Sequence, residues 1–377
     1  MSLFHSPKVV MDGLVFYHDM SNTQKSFKGA PTTNLLPTPL TIASTWTKEG
    51  GFGTVTDNVG YAPDDTQTST QCVFTGGYLY YTLTLTPGVT YTFSCYVKGS
   101  AQTSRGIGLW SYAVGGIVAA SSQAINADTW TRVSVTYTVA SGASSFAIML
   151  AGYPSNIFQG TIEVWHPQLE VNSFASPFVN GTRSNTQAIV DLTGRNTITA
   201  NSLTYASDGT FSFNGSNNFL SISSSGIVEN SISVDIWFNV NSTKTYAALL
   251  GSNVTEKYEM LIKSASNLEI SLAPGNYIQH NNILSINTWV NIVVSAPTGT
   301  AWKVYKNGVD LGTPPIIAGT YQVSGTGVSS IDQGRIRSDL SSFAFSGNIG
   351  STKIYNRALT ATEIAQNFNA HRSRYGI

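Results

Sequence analysis

Apolar residues recur at every second position through long stretches of this chain, and a chain with that period is built from strands. Ile232, Val234, Ile236, Phe238 and Val240 alternate strictly with Ser233, Asp235, Trp237 and Asn239. Leu79, Tyr81, Leu83 and Leu85 share one face of a second run. Val133, Val135, Tyr137 and Val139 share one face of a third. Side chains on a strand point alternately to opposite faces, so each run offers one face to a core. Residues 146–150 and 160–165 read as further strands. Helix signals are concentrated in one stretch near the end, so the expected fold class is all-β with one short C-terminal helix.

In that stretch, residues 343–355 read as a strand broken by Gly347 and Gly350, and residues 356–359 turn the chain into the helix. The Thr360 hydroxyl can cap it, and Glu363, three residues on, can reach back to the Thr360 N–H. Leu359 and Ile364 occupy the staple positions, and Ile364 with Phe368 forms an i, i+4 apolar pair. Asn307-Gly308 marks a hairpin, because a type I′ turn needs positive φ at both central positions. Thr86-Pro-Gly88 reads as another turn, which would bring Cys95 near Tyr80 across a hairpin. Cys95 lies on the apolar face of residues 89–97 and reads as a small buried hydrophobe. It is not expected to bond to Cys72, the other cysteine.

Composition narrows the function. Charged residues make up 11% of the 377 and the net charge is zero. That leaves no electrostatic footprint for nucleic acid or an anionic membrane. Ser, Thr, Asn and Gly supply the polar surface instead. The run Met1-Ser-Leu-Phe-His-Ser-Pro-Lys8 has no apolar stretch of the signal-peptide kind, and no segment approaches about 18 apolar residues. The expectation is a chain made and assembled in a cytosol, even if it later works outside one.

Asp12-Gly-Leu-Val-Phe-Tyr-His-Asp-Met20 reads as an opening strand. Late in the chain come Asn287-Thr-Trp-Val-Asn-Ile-Val-Val294, Trp302-Lys-Val-Tyr-Lys-Asn-Gly308, Phe345-Ser-Gly-Asn-Ile-Gly350 and Tyr355-Asn-Arg-Ala-Leu359. In this order they resemble the laminin-G-like (concanavalin A-like) jelly roll. The opening strand and the ending Gln366-Asn-Phe-Asn-Ala-His-Arg372 resemble the form found in structural proteins of tailed-phage virions. In that family the opening strand leads through a short loop to a D-L-S/T-G segment and then an F-x-F-N/D-G strand. Here those are Asp191-Leu-Thr-Gly194 and Phe211-Ser-Phe-Asn-Gly215, about 150 residues further on. The resemblance therefore implies an insertion: a laminin-G-like sandwich of residues 1–29 plus 184–377, interrupted by residues 30–183. Pro, Gly, Asn and Thr at both borders suit exposed linkers. Between them, Tyr91–Lys98, Trp130–Tyr137 and Trp165-His-Pro-Gln-Leu-Glu170 are similar to the carbohydrate-binding-module type of jelly roll. Two β-sandwich (jelly-roll) domains are expected.

Concanavalin A-like folds include glycosidases, and retaining cleavage needs two carboxylates about 5 Å apart. No E-x-D-x-x-E or E-x-D-x-E spacing is present, and Glu163 has no acidic neighbour on its strand. Catalysis is not expected. The five histidines are scattered, with no zinc-binding spacing. The resemblance also implies a structural calcium in some relatives, for which the candidates are Asp64, Asp65, Asp332 and Asp339. Calcium prefers several carboxylates, yet Asn214-Gly-Ser-Asn-Asn218 supplies amides, so solvated loop acids are the competing reading.

Sugar recognition calls for exposed aromatic faces beside amides and hydroxyls. Tyr78, Tyr80 and Tyr96 point away from the apolar faces of their strands, while Trp110, Tyr112 and Tyr153 lie in Gly- and Ser-rich, loop-like stretches. These six are the candidate carbohydrate-binding residues, and each could instead cover an end of the sandwich. The expected protein is a non-enzymatic phage virion component, a head decoration or fibre or a tail-associated adhesin, with other virion proteins and surface glycans as partners. The alternatives are a secreted glycan-degrading enzyme with an accessory module, and a capsid cement that binds no sugar. A homo-oligomer suits phage fibres, although no heptad run specifies one. The apolar-tinged arm of residues 1–11 has no partner strand in the sequence and is expected to order on another subunit.

Overall fold

The computed structural model describes residues 8–20, 22, 25–37, 41–99, 107–121, 123, 125–151, 160–205, 211–223, 232–241, 245–264, 266–324, 328–336 and 342–377. The chain divides into two compact units: Met1–Ala30 with Ser184–Ile377, and Pro31–Arg183. We call them the terminal unit and the inserted unit. Both are antiparallel β-sandwiches, and among the described residues no helix is long and apolar enough to cross a membrane.

In the terminal unit two eight-stranded sheets enclose one core. At the centre of the first sheet is Ser346–Tyr355, with Ile232–Val240 along one side. Its other side is shared by Phe211–Asn214 and by Leu14–Asp19, which runs from Leu14 opposite Tyr355 to Asp19 opposite Ser351. The first strand thus pairs with one of the last. Asp191 holds it in place: one carboxylate oxygen accepts from Tyr17 N at 3.0 Å, and Asn196 Nδ2 bonds the Val15 carbonyl at 2.9 Å. Asn307 (φ 50°) and Gly308 (φ 77°) form the left-handed turn between Lys303–Lys306 and Val309–Asp310.

The 346–355 strand is continuous, where the sequence suggested a break. Its pairing with Ile232–Val240 shifts register between Trp237 and Phe238, opposite Gly350. A β-carbon on Gly350 would lie 2.4 Å from the Tyr375 hydroxyl oxygen, and one on Gly347 would lie 2.1 Å from the Asn239 carbonyl oxygen. These glycines admit close neighbours without ending the strand.

The helix is Ala361–His371, and both halves of its capping box form: Glu363 N donates to Thr360 Oγ1, and Thr360 N donates to the Glu363 carboxylate. It covers the outer face of the first sheet, so Ile232–Val240 is buried on both faces. That burial includes ions. Asp235 and Lys353 are both fully buried, 3.4 Å apart, and Asp235 also accepts from Asn291 Nδ2 (2.7 Å) and Asn367 Nδ2 (3.1 Å). Asn367 also accepts Val10 N at 2.9 Å, while Gln366 Nε2 donates to the Lys8 carbonyl at 2.6 Å. Residues 8–10 of the arm therefore dock on the chain's own helix, contrary to the expectation of another subunit as their partner. Val10 is buried there with Tyr355 and Ile364.

The inserted unit packs two five-stranded sheets around a second core. Thr32–Thr33 pairs with Thr182–Arg183 where the chain enters and leaves it. One point of topology differs from the sequence reading. Tyr78–Thr84 and Thr90–Gly99 lie in opposite sheets, so Thr86-Pro-Gly88 is a crossing between sheets and no hairpin places Cys95 beside Tyr80. Cys95 stands opposite Val133, and Tyr80 opposite Met149. Cys72 and Cys95 are unbonded and fully buried, their thiols pushed up by desolvation, to about 12 for Cys72.

Breaking a buried ion pair leaves a charge without its counter-charge. Lys353→Met is expected to lower the terminal unit's stability by about 3–5 kcal/mol, read from the urea midpoint. Adding Asp235→Asn removes the orphaned charge and is expected to recover part of that loss. Equal midpoints for Lys353→Met and the natural protein would refute the stabilising role given to the pair.

Candidate functional site

The outer face of one sheet of the inserted unit, ordered Thr47–Glu49, Tyr78–Thr84, Ser145–Ala151, Gly108–Ser111, Gly116–Ala120, carries a cleft. It has a volume of about 390 Å³, within the usual size range for ligand sites. Alternation builds it. Leu79 points into the core, so Tyr78 and Tyr80 point out; Leu109 points in, so Trp110 points out. Cross-strand pairing then sets the spacing, with Tyr80 opposite Met149 and Ala147 opposite Trp110. Small Ala147 lies between the tyrosine strand and Trp110 and leaves the floor open. Tyr112 sits just past Ser111 in the turn to Gly116 and is 50% exposed.

Four of the six sequence candidates, Tyr78, Tyr80, Trp110 and Tyr112, therefore line one cleft, together with Glu49, Gly115, Ala147 and Met149. Trp110 lies in a strand, although its surroundings read as a loop, because Leu109 beside it anchors the segment in the core. Tyr96 is on the opposite sheet, its ring 5.4 Å from that of Trp165. Tyr153 lies outside the described residues.

Glu49 escaped the sequence reading. It sits opposite Tyr78 in the ladder, and its Oε2 accepts the Tyr80 hydroxyl at 2.8 Å. That bond, with some burial, pushes the Tyr80 phenol up to about 12. The phenol therefore keeps its proton through neutral and moderately alkaline pH. Its signal was available in principle, since the apolar run beginning at Leu79 needs a neighbouring strand.

Of the four calcium candidates, Asp64 and Asp65 share one turn in the inserted unit. Asp64 Oδ1 accepts from Thr66 N (3.1 Å) and Thr66 Oγ1 (2.6 Å), and Asp65 stands at φ 63° in the same turn. Asp332 is buried and bound to Arg335 Nε at 2.6 Å, while Asp339 lies outside the described residues. Among the described residues, no group of three or more His, Cys, Asp or Glu is placed to hold a metal ion.

Residues 213–365 match the family model described as the Concanavalin A-like lectin/glucanases superfamily, Laminin_G_3. The terminal unit carries a concanavalin A-like lectin/glucanase-fold domain. The matched stretch includes no residue of the cleft, which lies wholly in the inserted unit. Among solved structures, similarity extends to the botulinum neurotoxin type G receptor-binding domain, at 19% identity and TM-score 0.37, over 48% of each chain. It extends also to the binding domain of Paraclostridial mosquitocidal protein 1, at 15% identity and TM-score 0.40, over 48% of this chain and 49% of that one. Domain 4 of AbnA, a GH43 extracellular arabinanase from Geobacillus stearothermophilus in complex with arabinotriose, is 21% identical at TM-score 0.36. That likeness covers 49% of this chain and 92% of the other. The chain spans about half the length of the two toxin structures it matches. No curated protein matches the chain.

Glu49→Gln removes the charge that opposes ionisation of Tyr80. One phenol is expected to move from about 12 down towards the ordinary 10 in an alkaline absorbance titration. Superimposable titrations of the two proteins would refute the Glu49–Tyr80 bond.

Proposed function

We propose that the chain is a non-enzymatic glycan-binding protein whose inserted unit contacts the sugar through the Tyr78–Tyr80–Trp110–Tyr112 cleft. The observation that carries this reading is convergence: four outward aromatics from two strands and a turn surround one opening. Ring faces suit the C–H faces of a pyranose, and the phenols and Glu49 can bond its hydroxyls. Among the described residues Glu49 is the only charged one lining the cleft, which favours neutral glycans over sialylated or uronic ones. Among the described residues the cleft offers one carboxylate, where canonical retaining and inverting hydrolysis use a pair.

The setting proposed is a tailed-phage virion, with the chain as a head decoration or fibre or a tail-associated adhesin. The terminal unit is its anchor to other virion proteins. Support comes from the resemblance of the Gly13–Asp19 opening and the Gln366–Arg372 ending to phage structural proteins. Detecting the protein in purified particles by mass spectrometry tests that setting, and its absence from them would overturn it.

On a glycan array the intact protein is expected to bind neutral glycans and release no reducing ends from them. Each stacking ring contributes on the order of 1 kcal/mol, so Trp110→Ala with Tyr112→Ala is expected to weaken a monovalent site roughly tenfold or more. An array with no binding would leave the cement reading in its place, and reducing ends lost on Glu49→Gln would make the protein an enzyme.

A further inference from the structure

We propose that the inserted unit holds a second neutral-saccharide site on its other sheet, built around the stacked rings of Trp165, His166 and Phe178. This goes beyond the first cleft and does not depend on it. The strand Gly160–Glu170 pairs with Thr90–Gly99 in regular register until Trp165, opposite Tyr96. Pairing resumes at Gln168, opposite Ser94, so one extra residue is accommodated between them. Bulges of this kind re-aim a side chain.

The re-aimed residue is His166, at φ 52°, directly before Pro167. A residue with a β-carbon adopts that left-handed backbone at a cost, and such strain gathers at functional sites. A bulge alone would be served by Gly or Asn. Here the imidazole lies flat between two rings. Its centroid is 3.4 Å from Trp165 at 19° and 3.7 Å from Phe178 at 11°.

The stack borders a separate cleft of about 400 Å³, whose polar lining includes Asp64, Thr66, Thr68 and Asn180. A chain of hydrogen bonds orders that lining. Trp165 Nε1 donates to Thr68 Oγ1 at 3.0 Å, the Thr66 and Thr68 hydroxyls meet at 2.7 Å, and Thr66 Oγ1 donates to Asp64 at 2.6 Å. Because the single Thr66 hydroxyl proton goes to Asp64, Thr68 is the donor between the two threonines. The chain thus uses the Trp165, Thr68 and Thr66 protons internally, and what it leaves to a ligand is acceptor capacity on the threonine oxygens and Asp64.

His166 makes no side-chain hydrogen bond within the protein among the described residues. Desolvation holds its pKa down to about 4, so at neutral pH one ring nitrogen donates and the other accepts. That pairing suits vicinal hydroxyls, each of which can both give and take a hydrogen bond. Among the described residues no Lys or Arg lines the cleft, and Asp64 contributes negative charge, which disfavours phosphates and acidic sugars. The chemistry fits a neutral pyranose resting against the Phe178 edge of the stack.

The test uses the whole chain carrying Trp110→Ala and Tyr112→Ala, so that the first cleft is disabled. Saturation-transfer NMR would be run with glucose, galactose, N-acetylglucosamine, cellobiose and lactose, and with sialic acid as the anionic control. At least one neutral sugar is expected to give transfer, and to shift the His166 ring nitrogen resonances. Adding His166→Asn, which tolerates the left-handed backbone, or Phe178→Leu, which keeps apolar bulk, is expected to weaken that sugar roughly tenfold with little change in Tm. The His166 shift needs no further variant, so the test survives misfolding of either one. Transfer that persists unchanged in both variants, a preference for sialic acid, or no transfer from any neutral sugar would overturn the second site. If the unmutated chain still bound neutral sugars in that last case, the first cleft would stand alone; if it too bound none, both would fall.

Discussion

The antiparallel pairing of Leu14–Asp19 with Ser346–Tyr355 is the contact on which the rest of the architecture depends. It joins the two ends of the chain in one sheet, so whatever lies between residues 30 and 184 must leave and return at nearly the same place. The inserted unit does so through the short Thr32–Thr33 and Thr182–Arg183 ladder. On return, Asp191 and Asn196 bind the backbone of the first strand. Pairings so distant in sequence carry a high entropic cost of closure, and a large buried core has to offset it. The terminal unit has that core, with Ile236, Phe238, Ile292, Ile349 and Ile354 all essentially inaccessible.

Around this pairing the terminal unit uses its charges for cohesion. Asp235 and Lys353 sit under the helix, with Asn291 and Asn367 donating to Asp235 and Lys353 donating to Ser351 Oγ, and Asp19 is held by Tyr17 and by Arg374 at 2.5 Å. Burial without such partners would cost several kcal/mol per ion. The inserted unit spends its polar and aromatic residues differently. Its outer faces carry open rings, hydroxyls and few charges, the makings of recognition by stacking and neutral hydrogen bonds. The division of labour proposed for the two units follows from this contrast in chemistry.

Much of the fold was legible because period-two alternation and turn chemistry act locally. Ile232–Val240, Thr131–Thr138, the Asn307-Gly308 turn and the Thr360–Glu363 capping box are all read directly from adjacent residues. Choice of sheet was not legible at Thr86-Pro-Gly88, since a turn specifies a reversal of direction and says nothing of which partner the next strand meets. Gly347 and Gly350 misled for a related reason: their neighbours, Asn239 and Tyr375, are distant in sequence. The same limit governs the cleft. Outward tyrosines on one strand could be recognised, but the placement of Glu49 and Met149 beside them depends on ladders between strands. His166 was invisible as part of a stack because Phe178 comes from a border segment that reads as a linker.

The most direct test of the account is amide hydrogen exchange of the whole chain, with and without the neutral oligosaccharide that binds it best. The account predicts protection on binding within residues 47–49, 78–84, 108–116 and 145–149, with exchange across residues 232–355 unchanged. Protection centred on the terminal unit, or none with any neutral glycan, would contradict it.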